Sequence, residues 1–579
     1  MSLFLTAVSP CQGAEAQARF DWMPPESVGE ASRGTDSAGG ESLVPAIRVT
    51  AVPKPTADAA RYTNTYVIDL EAFRIRADGG DPDGTARGLN AALQHARTSG
   101  YNRIVFPKGL YRINATNPVV IDHTNTIIDL NGATLQIQSN GLPKYAVVVF
   151  ADGADTVRLF NGFLAGDRDA HDYKAAEGTH EWGAGLNFAG GRNLEADRLV
   201  ISNMTGDGVV SQTTGSRTRP ELLAKIMHSV EVRNFEPGAF SETGEKVAGA
   251  EKTRSVKPYD LARCGGAFEF GYTLGYQGYP VVKGRVFQAC FFDETMAFIE
   301  KRKCLQFRKT PIPAGARFLH FEFNQPSVTG ELAVCGRITN FRPPTDVHFH
   351  DNTVIRNRRL GFAYCGGQGW LIENNRFEEN GGTAPAFGVD FEDGWELMQD
   401  VVMRGNTFRG NRAGDLVVCA GSELLFESNR FEKAVVVWGR PHNYTFRNNR
   451  FTGGSVNYKT RTGVASIHDN VYEDCALSIV FDTKAVADGI YREPGKTVAT
   501  PPLVLKNETL ARVREVTGTY FCFDDSRLQS VRFKAGPETR LVRLNRCELI
   551  DASLTRDAKA SNLVVTVESC TGSLAVGRE

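Results

Sequence analysis

The chain has 579 residues, enough to bury a large core, and carries 66 Lys plus Arg against 67 Asp plus Glu. That balance leaves no bulk charge to draw it to nucleic acid or an anionic membrane, and no window is apolar for long enough to make a transmembrane helix. Fifty-eight glycines and 35 phenylalanines suit tight turns and stacked rings, while 11 scattered cysteines without a Cys-x-x-Cys pair argue against a zinc site or a disulfide framework and for burial as small apolar residues.

Residues 1–60 read as a leader or linker. Met1 to Val8 followed by Ala14-Glu-Ala16 has the small-residue cleavage pattern of a secretory signal without its basic start, and Gln17 to Ala60 is too rich in Pro, Gly, Ser and Ala for a core. From Tyr66 the text changes. Tyr66-Val-Ile-Asp-Leu reads as a strand, Asp78 to Thr85 as an acidic Gly-rich turn, Ala86 to Ser99 as a helix with Leu89, Ala92, Leu93 and Ala96 on one face, and Ile104 to Ile113 as a second strand. Strand text continues through Ile127 to Leu135, Val147 to Phe150, Val157 to Leu164 and Leu194 to Val210, broken by a loop from Gly166 to Trp182 that holds His171, Tyr173, His180 and Glu181. Between 213 and 345 the pattern is alternating strands bounded by turns, which predicts an inserted β-sandwich.

After the insertion one short pattern recurs six times: an apolar residue, two variable ones, Asn, one variable, then usually Phe. Its asparagines are Asn352, Asn375, Asn406, Asn429, Asn449 and Asn470, spaced 23, 31, 23, 20 and 21 residues apart. A period near twenty without amphipathic helices indicates a β-solenoid, and the Leu-x-x-Leu-x-Leu frame of a leucine-rich repeat is absent. Each Asn is expected to sit at a bend, bonding its equivalents one coil above and below, with the aromatic two residues later stacked inside. Residues 346–499 are then central coils. Within 500–579, Leu503 to Asn507, Tyr520 to Phe523, Leu541 to Asn545 and Leu563 to Val567 read as further coil strands before a cap.

The strand, acidic turn, helix and strand of residues 66–113 resemble the start of the pectate lyase superfamily, and the asparagine ladder extends the likeness along most of the chain. The resemblance implies an all-β fold, a right-handed parallel β-helix whose open end is plugged by an N-terminal cap helix, here over 61–212 and interrupted by the sandwich. It implies a structural role for the Asp78 to Asp83 turn.

The coil from Asn375 to Asn406 is longer than its neighbours and carries Gly388-Val-Asp-Phe-Glu-Asp-Gly-Trp395. Strand alternation puts Val389 and Phe391 in the core and points Asp390 and Glu392 outward. Asp393 follows at the turn, Asp415 lies one coil on, and Asp207 of Gly206-Asp-Gly208 has the same phase if the coils resume in register after the insertion. Paired carboxylates are what glycoside hydrolysis needs, one to protonate the leaving oxygen and one to activate water. The layout resembles the polygalacturonase branch of the superfamily, although that branch's Asn-Thr-Asp, Asp-Asp, Gly-His-Gly and Arg-Ile-Lys motifs are not present as a set. Asp390, Glu392, Asp393, Asp415 and Asp207 are the catalytic candidates; Trp395, Trp438, Tyr364, Trp182, Arg412 and Arg440 are the candidates for sugar contact. His180, His348, His350 and His442 read as surface or loop residues.

The expected function is cleavage of an extracellular polysaccharide by a secreted or periplasmic monomer or homotrimer, by hydrolysis before elimination, with no metal site and no cofactor. The alternatives are a lyase, for which the acidic row would hold calcium with Arg404, Arg412 or Arg440 nearby, a phage tail-type depolymerase, and a non-catalytic glycan-binding surface protein.

Overall fold

The computed structural model describes residues 61–212, 227–230, 232–264, 266–272, 286–305, 310–328, 332–335, 344–392, 398–438, 441–460, 465–481 and 503–578. The leader 1–60, most of Gly271 to Tyr279, and Asp393, Trp395 and Arg440 lie outside these residues.

Strand-forming text with one buried residue in two closes into coils here because each strand pairs in parallel with its equivalent one coil away. Among the described residues thirty-nine strands join in this way, three to a typical coil. One such row runs Trp182–Phe188, Val209–Ser211, Phe362–Tyr364, Phe387–Phe391, Gly414–Val418 and Val435–Val437. The helix Pro82–Thr98 buries Leu89, Ala92, Leu93 and Ala96 in the same core as the first coils, as the expected cap does. Its N-cap is Asp81, whose carboxylate accepts from Gly84 N. The other acids of that turn are engaged locally, Asp78 with Arg76 and Asp83 with Asn114.

The asparagine ladder runs as expected. From Asn375 to Asn470 each side-chain oxygen accepts both the backbone and the side-chain N–H of the preceding ladder residue at 2.9–3.1 Å. It starts at Leu199 N, before the insertion, and ends on the buried carboxylate of Glu508, which burial holds well above its usual range. The aromatic column also forms: Phe377, Phe408, Phe431, Phe451 and Tyr472 stack with centroids 4.9–5.2 Å apart. One detail differs. The left-handed residue at each bend is the one before the ladder asparagine, namely Asp351, Asn374, Gly405, Ser428, Asn448 and Asp469. The ladder residue is thereby released to turn its amide inward.

A second ladder, five residues on, links Met204 N to Asn357, Asn357 to Asn380 and Asn380 to Asn411. Together the two ladders satisfy the backbone groups of consecutive bends that water cannot reach. Replacing Asn406 by alanine removes the side-chain partners of Asn375 N and Ile372 O in the interior and one of the two donors to Asn429 Oδ1. The expected cost is about 3 kcal/mol, read as a lowered urea midpoint; a loss under about 1 kcal/mol would mean that water replaces the amide.

The insertion breaks the chain but not the coils. Arg192–Ser202 pairs with Thr345–His350 and Thr353–Ile355, and Val209–Ser211 pairs with Phe362–Tyr364, so the coil resumes in register. Between these points lie antiparallel sheets of four and six strands. Phe268 and Phe270 from one sheet pack with Phe287, Phe291, Phe321 and Phe323 from the other, Phe270 and Phe321 stacking at 4.8 Å. Seven of nine described cysteines are buried. No helix among the described residues is long and apolar enough to cross a membrane.

Candidate active site

The row that contains Phe387–Phe391 turns its odd residues inward: Val389 and Phe391 are fully buried in the core, in register with Phe362 and Tyr364. Asp390 therefore faces outward, though it is covered. Glu392 follows at the strand's end, its N–H held by Tyr364 O. On the coil before the insertion Asp207 lies two residues ahead of Val209, and on the next coil Arg359 lies three ahead of Phe362.

Arg359 gathers these acids. Its Nη1 donates to Asp207 Oδ2 at 3.0 Å and Oδ1 at 3.2 Å, its Nη2 donates to Glu392 Oε1 at 3.0 Å, and its Nε lies 3.5 Å from Glu181 Oε2. Four successive coils thus converge on one guanidinium. Burial alone would depress the Arg359 guanidinium, but Asp207, Glu392, Glu181 and Asp390 hold it well above its ordinary value. Burial pushes Asp207 up to about 7, with Glu392 and Glu181 adding to the rise and Arg359 opposing it. The Asp207 side chain is 3% exposed, whereas Glu392 and Glu181 are 20% and 25% exposed. The guanidinium and Asp207 are thus the covered interior of the cluster, and the two glutamates are its reachable rim.

Backbone packing holds this arrangement. A Cβ on Gly206 would lie 2.1 Å from Glu181 O, so only glycine lets the Asp207 turn approach the Glu181 strand. Arg359 N bonds Gly206 O, and Gly208 N bonds Leu360 O. Glu181 ends the long loop, which a buried relay ties down. Asp167 accepts from Tyr145 OH and His171 Nδ1 at 2.8 Å each, His171 Nε2 meets His180 Nδ1 at 2.8 Å, and His180 Nε2 donates to Ala176 O. Arg358 Nη1 adds bonds to Thr179 O, His180 O and Thr205 O. His180 is accordingly buried rather than a surface residue, as are His348 and His350; the side chain of His442 lies outside the description.

The other expected residues divide. Trp182 follows Glu181 directly and is half-buried. Trp438 is half-buried two coils beyond Glu392 in the same row, with Lys459 Nζ 5.7 Å from its ring centroid. Arg412 is exposed at the turn after Asn411, with Nη1 3.5 Å from Gly382 O, away from the Arg359 cluster's contacts. Two residues do not face a groove. Tyr364 is fully buried against Trp370 and Phe391, because its strand phase is that of the core. Asp415 lies opposite Gly388, at the start of its strand and two residues ahead of Val417, the residue that pairs with Asp390, and it is buried. Its Oδ1 accepts from Asn411 Nδ2, ending the second ladder, and its Oδ2 accepts from Glu432 N and Lys433 N. Burial pushes Asp415 up to about 6, but its oxygens are committed to structure.

Arg359 and Glu181 were not among the expected site residues. The signal for Arg359 was its place between the Asp207 and Asp390 coils at the bend after Asn357.

Residues 339–451 match the family described as Right handed beta helix region. The chain is 29% identical over 195 residues to the uncharacterized protein YclG of Bacillus subtilis, covering 31% of this chain and 33% of that one. It is 27% identical over 186 residues to the SPbeta prophage-derived uncharacterized protein YorA of the same organism, covering 30% and 31%. The match therefore spans about a third of each relative's length. Among solved structures, the A-module of the Azotobacter vinelandii mannuronan C-5 epimerase AlgE6 aligns over 87% of this chain and 99% of its own at 13% identity and TM-score 0.41. The pre-mature gene product 12 of bacteriophage phi29 aligns over 88% and 56% at 10% identity and TM-score 0.40.

Proposed function

We propose that this right-handed parallel β-helix, pectin-lyase-like in its architecture, hydrolyses glycosidic bonds of a polysaccharide outside the cytoplasm, with Glu181 and Glu392 as the acid and base pair. The observation that carries this reading is the convergence of Glu181, Asp207 and Glu392 on Arg359, with Asp390 adding its charge. Carboxylates crowded around a single cation retain a proton near neutrality, and that proton belongs to the cluster as a whole. Asp207 stores it, and the half-buried, solvent-reachable glutamates deliver it to a leaving-group oxygen and activate water. Trp182 beside Glu181 and Trp438 along the coil axis suit stacking on sugar rings at either side.

Elimination is the weaker reading for a specific reason. A lyase needs a cation to neutralise a uronate, and Arg359, the cation at the centre, is already shared among the site's own carboxylates. It also stands where a calcium ion would have to bind these acids.

The test is mass spectrometry of products from a panel of polysaccharides, with and without chelator, for the wild type and Glu392→Gln. Products that have gained water, insensitive to chelator and lost in the variant, are expected. Unsaturated, chelator-sensitive products would replace hydrolysis by elimination, and glycan binding without any product would make the cluster structural.

A further inference from the structure

A second cluster lies on a different face of the coils, where the insertion interrupts the chain. Arg192–Ser202 pairs with Thr345–His350 so that Glu195 stands opposite His348 and Asp197 opposite His350. Ala196 and Phe349, between them, are core residues, so Glu195, His348 and His350 all project to the other face of two adjacent strands. One ligand atom from each of the three lies within 4.8 Å of the others.

Each histidine is oriented by a carboxylate. His348 Nε2 lies 2.8 Å from Glu373 Oε1, and His350 Nδ1 lies 2.7 Å from Asp351 Oδ2. A carboxylate that takes one ring N–H leaves the other nitrogen with its lone pair, which is how histidine ligands of metals are usually held. The remaining nitrogens are His348 Nδ1 and His350 Nε2. His350 Nε2 faces Glu195 Oε1 at 3.0 Å. His348 Nδ1 is buried without a hydrogen-bond partner, on a side chain 8% exposed. A buried polar atom left without a partner is costly and calls for an explanation. The rings stack with centroids 3.8 Å apart, which keeps both within reach of Glu195.

We propose that His348 Nδ1, His350 Nε2 and the Glu195 carboxylate bind one divalent transition-metal ion, zinc by preference, which clasps the coil before the insertion to the coil after it. Two imidazoles and a carboxylate are a zinc-type donor set, and imidazole nitrogen does not suit calcium or magnesium. Arg158 is the competing group. Its Nε lies 3.4 Å from Glu195 Oε1, but its bidentate pair is with Asp197, at 2.7 and 2.8 Å, so that anchor is independent of Glu195. The site joins residues far apart in sequence, so the ion would hold in register two coils that the chain itself connects only through the insertion.

The experiment uses the full chain stripped with chelator and titrated with Zn²⁺ by calorimetry and with Co²⁺ by visible absorption. One ion per chain is expected, with cobalt d–d bands, a melting temperature raised by Zn²⁺ and unmoved by Ca²⁺, and binding lost in His348→Ala and His350→Ala. Glu373→Gln keeps every ligand and is expected to weaken binding by about 10- to 100-fold. His468→Ala, at a half-buried histidine paired with Asp469, is expected to leave binding unchanged. The wild-type titration needs no variant to fold. Absence of one-to-one binding there, or binding that survives loss of both histidines in a folded chain, would overturn the proposal and leave the acids to Arg158 and Arg198.

Discussion

Replacing Arg359 by leucine is expected to destabilise the chain by about 3–5 kcal/mol at pH 8, because it leaves buried carboxylates without their cation. The size of the loss is expected to depend on pH in one direction. Asp207 has its folded value raised, to about 7 from 3.8, so ionising it opposes folding. That cost is absent below the unfolded value, grows as pH rises through the window between about 3.8 and about 7, and is constant above it. Without Arg359 the attraction that offsets burial is gone, the folded value rises further, and the cost continues to grow above pH 7. The wild type and Arg359→Leu should therefore be close in stability near pH 4 and furthest apart in alkali. Urea denaturation at pH 4, 6 and 8 reads this directly. A deficit equal at all three would mean that the arginine contributes packing alone. Arg359→Lys is expected to recover part of the loss, since it restores the charge without the fork that binds Asp207 and Glu392 together.

Much of the coil architecture was legible because its causes are local and repeated. A ladder asparagine must be Asn to donate and accept between coils, and a stacked ring must be aromatic, so both leave a periodic trace at Asn352 to Asn470 and Phe377 to Tyr472. The second ladder, Asn357, Asn380 and Asn411, has the same cause but only three members, which is too few to show as a period. The site was less legible. Strand alternation placed Asp390 and Glu392 outward, but taking Asp415 and Tyr364 as their equivalents on the neighbouring coils failed, because pairing sets Tyr364 beside the core residue Phe391 and Asp415 opposite Gly388 at the strand's start. Arg359 and Glu181 enter the cluster through pairing between coils on either side of an insertion, and that depends on register rather than on any neighbour in sequence. The histidines at 348 and 350 were missed likewise, because the acid that faces both lies 153 residues from one and 155 from the other.

The proposed chemistry makes its largest demand on Glu392 and Glu181. Changing either to glutamine keeps the shape and removes a proton site from the exposed rim, and kcat on the identified polysaccharide is expected to fall by about 10²- to 10⁴-fold with KM little altered. Asp207→Asn should act differently. Asp207 is covered, so it meets the reaction only through the proton it holds for the cluster and the half of Arg359 that it occupies. In the wild type the rate is expected to fall as pH rises through about 7, where burial has pushed Asp207, because the acid form is then lost. In Asp207→Asn that alkaline limb should move, since the group that burial raised to about 7 is gone and Arg359 loses the carboxylate that held its Nη1. Gln at 392 or 181 would lower the plateau, while Asn at 207 would shift the limb. A proton held for catalysis predicts these separate outcomes. Equal losses of kcat in all three variants with an unmoved pH profile would mean instead that the cluster supports the fold around a site whose acid and base lie elsewhere on the coils.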